Sequence, residues 1–386
     1  MPKPRILLAM ITVGNGHKAP ADAIKAGIEK LYPEQFEIDV LDFTLAVGDK
    51  EFDKRHKDSW DWMLENPKFA YWGQRLLDKA VPVPATRFVQ SHMLAEHAKN
   101  AAEFIKDKKY NLVVATHFFT VQALAIAKRK HGLNVPIIGL NTDPFDAHAM
   151  WAEKDIDEMI VSSRLAEKKL AEKGVSSKKI KIFGYPLGLQ FMDNALTKEE
   201  ARTKLELTQN KLTVLQSAGG EGIGGQLEKF VKAVLKADLE MQYIIACGRN
   251  QELYSYLQKL AGEHQGKTKL LPQGFITNMQ EWIAASDLIL GKAGAATTFE
   301  ALVMNRPIFH TNYIAYNEKT NVDFCIEKGI GNYIPEPKQL VEVLEPLTKD
   351  RTPLEILVDK IRALGIQPGT LDIAKHLIET YLVQVA

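Results

Sequence analysis

The chain has 386 residues, 46% of them apolar and 25% charged, values near the globular average that exclude disordered and fibrous classes and leave room for two domains with separate cores. A formal charge of +1 gives no reason to expect a nucleic-acid partner. The sign is nevertheless split: residues 1–185 carry 28 basic against 24 acidic side chains and the remainder 21 against 24, a weak bias in the first half that suits an anionic membrane surface.

The N-terminal KPRILLAMITVG superficially looks like a secretory leader, but it lacks a small-residue cleavage site and leads straight into GNGH and a helical pattern. It reads as a first strand, Arg5–Ile11. Further short runs rich in Val, Ile and Leu follow at Phe36–Leu41, Leu112–Thr116, Val135–Leu140, Met159–Val161 and Ile180–Phe183. Between them lie helical stretches such as Ala21–Leu31, where Ile24, Ile28 and Leu31 share one face. The pattern restarts at Leu212–Gln216, Tyr243–Cys247, Lys269–Leu271, Leu288–Leu290 and Ile308–Thr311. Continuous apolar strands separated by helices predict α/β architecture, with parallel sheets covered on both faces. GYPLGLQF and the polar residues after it read as a linker. The expected organisation is a first Rossmann-like domain over 1–190, a linker over 191–210, a second Rossmann-like domain over 211–365, and a C-terminal helix over 366–386 that returns to the first domain. Ligand would bind at the carboxyl ends of the strands, in a cleft between two doubly wound domains.

Three junctions carry chemistry. GNGH (Gly14 to His17) ends the first strand, and Gly16 there lets a ligand approach; a histidine at a helix N-terminus has a lowered pKa and suits a neutral general base, or it simply caps the helix. The third glycine of a dinucleotide fingerprint is missing, since Ala19 and Pro20 follow, so a dehydrogenase using Asp42 on a ribose is disfavoured. GGEGIGG (Gly219 to Gly225) and GKAGAATTFEA (Gly291 to Ala301) each follow a strand and enter a helix, a geometry that aims backbone N–H groups at an anion such as a diphosphate. Gly219, Gly220, Gly222, Gly294, Ala295, Ala296 and Thr297 are the candidate phosphate contacts, with Glu300 one turn into the helix, placed either to accept two ribose hydroxyls or as a surface carboxylate on the helix dipole.

Asp143 ends another strand and is placed to orient or deprotonate a hydroxyl, to hold a histidine, or to cap a turn; His117 ends a strand on the same rim. Asn317, Glu318 and Asn321 are suited to sugar hydroxyls. Ser59–Gln90 interleaves Trp60, Trp62, Phe69, Tyr71, Trp72 and Phe88 with basic residues, as a membrane headgroup layer or a long apolar acceptor would favour; the alternative is a helix packing its aromatics on the first domain. Cys247 and Cys325 are isolated in apolar segments, so a reducing, cytoplasmic compartment is expected. No apolar stretch approaches the ~20 residues of a membrane span. No His/Cys/Asp cluster has metal-ligand spacing, so no obligate metal is expected.

Taken in order, GNGHKAPADAI, NTDPFDAHAMW, GGEGIGG, ACGRN, QGFITNMQEW, GKAGAATTFEAL and IAYNEKTNV resemble the GT-B glycosyltransferases, and more narrowly the monogalactosyldiacylglycerol synthases and the processive diacylglycerol glucosyltransferases. The resemblance runs from about residue 5 to about residue 345. It implies inverting transfer of a hexose from a UDP-sugar to a lipid hydroxyl such as that of diacylglycerol, without cofactor, by a protein peripheral on the inner face of the cell membrane. His17 or Asp143 would be the base. Arg249, Phe275 and Ile276 would line the donor site with the glycine loops, Glu300 would hold the ribose, and Asn317 and Glu318 would read the sugar. Gly16, His148 and the Trp60, Trp62 and Trp72 stretch would face acceptor and membrane. A soluble acceptor, a UDP-sugar epimerase and a non-catalytic nucleotide-sugar binding protein are the alternatives. Three segments depart from the family pattern: Gly188 stands where arginine is expected, Ala295-Ala296 replaces a glycine pair, and Asn317-Glu318 replaces Gln-Glu with an arm one methylene shorter. They bear on sugar and acceptor recognition and leave the UDP contacts in place.

Overall fold

The structure, a computed structural model, describes residues 2–12, 14–192, 196–219 and 227–382. In the first half, the apolar runs form β1 (Arg5–Met10), β2 (Glu37–Asp42), β3 (Leu112–Ala115), β4 (Ile137–Leu140), β5 (Glu158–Val161) and β6 (Ile180–Ile182), paired in parallel in the order β2-β1-β3-β4-β5-β6. Alternate residues of β1 serve different cores. Leu7 and Ala9 pack with Val121, Leu124 and Trp151, whereas Ile6 and Leu8 pack with Ile24, Ile28, Ile373 and Leu377. Burial on both faces is why these strands read as unbroken apolar runs. Each such leucine or isoleucine contributes roughly 1.5–3 kcal/mol by leaving water.

The helix expected from Ala21 begins one turn earlier, at Lys18, and ends at Leu31. Pro20 lies in its first turn, where no intrahelical N–H bond is lost. Of the predicted stripe Ile24 and Ile28 are buried, with Ala21 and Gly27 beside them, whereas Leu31 at the helix end is exposed. At Gly27 an added Cβ would lie 3.0 Å from Thr370 Cγ2 and 3.2 Å from Ala374 Cβ, so the C-terminal helix Thr370–Tyr381 packs at this point because the residue has no side chain. That helix is tied back by Leu187 N–H to Thr370 Oγ1 at 2.9 Å and Gly369 N–H to Tyr185 O at 3.0 Å.

The second half forms β7 (Leu212–Ser217), β8 (Met241–Ala246), β9 (Lys269–Gln273), β10 (Leu288–Lys292), β11 (Ile308–Asn312) and β12 (Gly331–Tyr333), all parallel, in the order β12-β11-β10-β7-β8-β9. Most strand ends differ from expectation by one or two residues. β12 is unpredicted, because Gly-Asn-Tyr has no apolar run and exists as a strand only by pairing with Ile308–His310. The linker region contains a short helix, Lys198–Lys204, whose capping box joins Thr197 and Glu200. Arg202 on that helix is fully buried on Asp287 (2.8 Å) and the Ala285 carbonyl (2.9 Å).

Two compact units result. The first comprises the residues up to Leu189, Ile314–Thr320 and those from Pro368 onward; the second comprises Gln190–Tyr313 and Asn321–Gln367. In each sheet the strand order reverses once, between β1 and β3 and between β7 and β10. Open α/β sheets bind ligand outside the carboxyl ends of the strands at this kind of reversal.

Candidate functional site

At the β1/β3 reversal the turn after β1 carries Gly14, which adopts φ +64, and then His17 at the start of the helix. The His17 side chain makes no capping bond. Instead Nδ1 lies 2.6 Å from the Thr116 carbonyl oxygen and 3.1 Å from Thr142 Oγ1, while Thr116 Oγ1 donates to the His17 carbonyl at 2.9 Å. A carbonyl can only accept, so Nδ1 carries the proton and Nε2 holds the lone pair. Burial is the main cause that lowers His17 to about 4, offset in part by the Thr116 carbonyl and the Asp143 charge. The expected lowering is therefore present, but desolvation rather than the helix terminus produces it. The imidazole is neutral at physiological pH.

His117 packs against it, ring centroids 4.4 Å apart and tilted by 64°. It is buried, and its Nδ1 accepts from Phe119 N–H at 3.2 Å. His56, from the helix Lys50–Glu65, lies 5.1 Å from the His117 ring on another side. Burial depresses both imidazoles.

Asp143 follows β4 on the same rim. Its Oδ2 accepts from Trp151 Nε1 at 2.7 Å and its Oδ1 from Asn317 Nδ2 at 2.5 Å; His148 Nε2 stands 3.5 Å from Oδ2. The carboxylate thus holds an indole and an amide and does not cap a turn. Asp42 is likewise occupied, accepting from Thr12 N–H at 3.1 Å and Thr44 Oγ1 at 2.7 Å, and so pins the turn after β1. Gly16 is exposed, with open space where a Cβ would stand.

In the second unit, β7 and β10 are neighbours with Ser217 opposite Gly291, which sets the carboxyl ends of the two strands side by side. Gly219 adopts φ +78 and donates its N–H to Ser217 Oγ at 3.2 Å. Gly220 and Gly222 lie outside the described residues. Gly294 is the N-cap of the helix Ala295–Val303, so Ala295, Ala296 and Thr297 form its first turn, with their N–H groups free of intrahelical partners by geometry. Thr298 Oγ1 donates to the Gly294 carbonyl at 2.8 Å and meets His310 Nε2 at 3.0 Å. Glu300 is raised to about 7 by burial, which is unlike a solvated surface carboxylate on a helix dipole. Arg249, after β8, lies over the Phe275 ring after β9 at 4.6 Å, with Ile276 next in chain. The buried His310 behind the loop was not expected; an isolated histidine in an apolar strand gives no sequence signal.

The three proposed sugar readers separate. Asn321 is buried and donates Nδ2 to the Ala293 carbonyl at 2.8 Å, bracing the β10 junction. Asn317 and Glu318 lie in the segment that belongs to the first unit, Asn317 on Asp143 and Glu318 Oε2 accepting from Ile314 N–H at 2.8 Å.

Ser59–Gln90 is not one helix but parts of three, Lys50–Glu65, Pro67–Ala80 and Val83–Met93. Polar bonds hold their inner side. Asp78 accepts from Ala149 N–H at 2.8 Å, Arg87 donates to the Ala152 carbonyl at 2.6 Å, and Gln74 accepts from Tyr316 N–H at 2.9 Å. The outer side is apolar and exposed: Phe69 is 73% and Trp72 62% accessible, and Trp62, Leu76, Phe88 and Met93 join them, while Trp60 is half-buried. Packing of the aromatics on the first domain accounts for only a minority of these rings. Among the described residues no helix is long and apolar enough to cross a membrane.

Comparison with known proteins follows the same division. Residues 17–187 match the family model described as monogalactosyldiacylglycerol (MGDG) synthase, and residues 223–352 match the glycosyltransferase family 28 C-terminal domain. The chain is 26% identical over 354 residues to monogalactosyldiacylglycerol synthase 1 of Arabidopsis thaliana, across 88% of this chain and 64% of that protein, so it spans just under two thirds of that relative. It is 25% identical over 275 residues to the processive diacylglycerol beta-glucosyltransferase of Staphylococcus epidermidis, covering 71% of this chain and 68% of that one. Among solved structures, Acinetobacter baumannii MurG superposes with a TM-score of 0.67 over 98% of this chain and 100% of its own, at 16% identity, a likeness of fold. The chain therefore has the GT-B fold, and its two halves are similar to the monogalactosyldiacylglycerol synthases and to the glycosyltransferase family 28 C-terminal domain respectively.

Proposed function

We propose that the protein is an inverting glycosyltransferase that moves a hexose from a UDP-sugar to the hydroxyl of a diacylglycerol-type lipid. The observation that carries this reading is the neutral His17 imidazole at the β1/β3 reversal, its Nδ1 proton held by the Thr116 carbonyl and its Nε2 left as the basic nitrogen. The acceptor oxygen attacks the anomeric carbon, His17 takes its proton, and the bond to the diphosphate breaks on the opposite face. A base this weak accepts the proton as the new bond forms rather than beforehand. Asp143, with both oxygens engaged, acts through charge and by holding Trp151 and Asn317.

Leaving-group charge falls on the second unit. The first turn at Ala295–Thr297 stabilises the diphosphate by preorganised dipoles, with Gly219 at the neighbouring strand end shaping the approach and no metal required. Glu300 accepts the ribose hydroxyls, and Arg249, Phe275 and Ile276 border the uracil. Gly16 and His148 lie on the acceptor side. The exposed Trp62, Phe69 and Trp72 rings, with the half-buried Trp60, support a membrane-surface acceptor over a soluble one, because several large apolar side chains are costly to leave in water. The protein acts as a peripheral enzyme on the cytoplasmic face of the membrane.

The relatives' names cover galactosyl and glucosyl transfer, so the test supplies several donors. Purified protein is incubated with radiolabelled UDP-glucose, UDP-galactose or UDP-N-acetylglucosamine and diacylglycerol vesicles, and the lipid fraction is chromatographed. Label appears in a glycolipid with at least one donor. Label confined to water for all three would reject the lipid acceptor, and donor conversion without any acceptor would point to an epimerase.

A further inference from the structure

Histidine bases are often oriented by a carboxylate, and Asp143 lies close enough to invite that reading. The contacts say otherwise. The polar neighbours of His17 Nδ1 are the Thr116 carbonyl at 2.6 Å and the Thr142 hydroxyl at 3.1 Å. The Asp143 oxygens take the Trp151 indole and the Asn317 amide. On its flank His17 meets the edge-tilted ring of His117, itself anchored by Phe119 N–H and enclosed by Phe118, Phe119 and His56.

We propose that His17 is set as a base by an uncharged cradle, the Thr116 carbonyl, the Thr142 hydroxyl and the buried His117 ring, rather than by a histidine–carboxylate dyad. The inference rests on the reading of His17 as the base. Thr142 and His117 are positioning residues. Because a carbonyl fixes the Nδ1 proton, the hydroxyl of Thr142 serves as second acceptor for it, and its own hydrogen turns elsewhere. His117 keeps water from the flank of the imidazole, which makes the imidazolium costly and holds the ring neutral.

Groups facing His17 come from every side of it: His117 after β3, Asp143 and His148 after β4, and His56 from the helix Lys50–Glu65. On its own helix, Lys18 and Asp22 pair with each other in solvent. Of these only Asp143 favours the protonated ring.

The test is a histidine NMR titration of the full chain, with the His17 signal assigned by its loss in His17→Asn. Nitrogen shifts report the tautomer and carbon shifts the pKa, whether or not the protein transfers a sugar. The wild type titrates well below an ordinary imidazole with the Nδ1–H tautomer. His117→Ala admits water and raises the His17 pKa by about one unit, while His117→Phe keeps it low. In parallel, the acid limb of kcat against pH moves up with His117→Ala and stays put with His117→Phe, whereas a loss of packing alone lowers kcat at every pH. Thr142→Val lowers kcat about three- to ten-fold with KM for the UDP-sugar unchanged, the effect of one lost hydrogen bond. An Nε2–H tautomer, an unmoved titration in His117→Ala, an unchanged kcat in Thr142→Val, or a larger shift from Asp143→Asn than from His117→Ala overturns the cradle. A cradle seen by NMR in a protein without transfer would instead reject the function.

Discussion

The two strand-order reversals solve opposite electrostatic problems. At β1/β3 the chain encloses imidazoles, His117 fully and His17 and His56 partly, and desolvation lowers them: His17 to about 4, with His117 and His56 depressed by the same cause. At β7/β10 it places few side chains and presents backbone instead, a left-handed Gly219 beside the open first turn of Ala295–Val303. A proton acceptor needs a tuned pKa, which takes burial and neighbours. A leaving diphosphate needs fixed dipoles, which glycine and a helix end supply without titrating.

This contrast is breakable by mutation. The largest effect is expected at His17: His17→Ala lowers kcat by on the order of 10²–10⁴ while UDP affinity measured by calorimetry stays within about two-fold. Loss of UDP binding in step with kcat would place the imidazole in the donor site. Next comes Glu300. Glu300→Gln should weaken UDP about ten- to hundred-fold, as for a lost bond to a charged acceptor. With the carboxyl raised to about 7, wild-type UDP affinity should climb as pH rises through that value, because ionisation creates the acceptor; a flat profile in the wild type contradicts the assignment.

A smaller effect is expected at the lipid face. Changing Trp62, Phe69 and Trp72 to Ser should cut partition onto diacylglycerol vesicles by about ten-fold or more and leave UDP binding intact, since the rings are exposed and removing them opens no cavity. Trp60→Ser, half-buried, should cost some stability as well. Chelation with EDTA should change turnover by less than about two-fold, in keeping with a backbone cradle for the diphosphate. Strong inhibition restored by a divalent cation would mean that the dipoles need help.

Legibility in the sequence followed the same contrast. Ile6–Ile11 and Leu288–Leu290 announced buried parallel strands because both faces are covered, and the glycine junctions announced themselves because a backbone device is written in consecutive residues. His17 was visible for the same reason. Its environment was not: Thr116 lies 99 positions away, and Thr142 lies 125 away. The Asn317–Asp143 bond joins residues 174 apart, so a residue expected to read sugar proves to rest on the first unit's carboxylate. Asn321 is similar, its amide facing the Ala293 carbonyl. β12 stayed hidden because pairing with β11, not its own composition, makes it a strand. The aromatic stretch had a legible composition, but which rings face out depended on anchors at Asp78 and Arg87 that only the fold reveals.

The central claim is that the first unit supplies a proton acceptor and the second unit the UDP seat. It is tested most directly by measuring glycolipid formation and UDP binding on the same preparation of His17→Asn. The account predicts that UDP binds as in the wild type and labelled glycolipid falls by at least about a hundred-fold. Undiminished transfer, or UDP binding lost along with it, would contradict it.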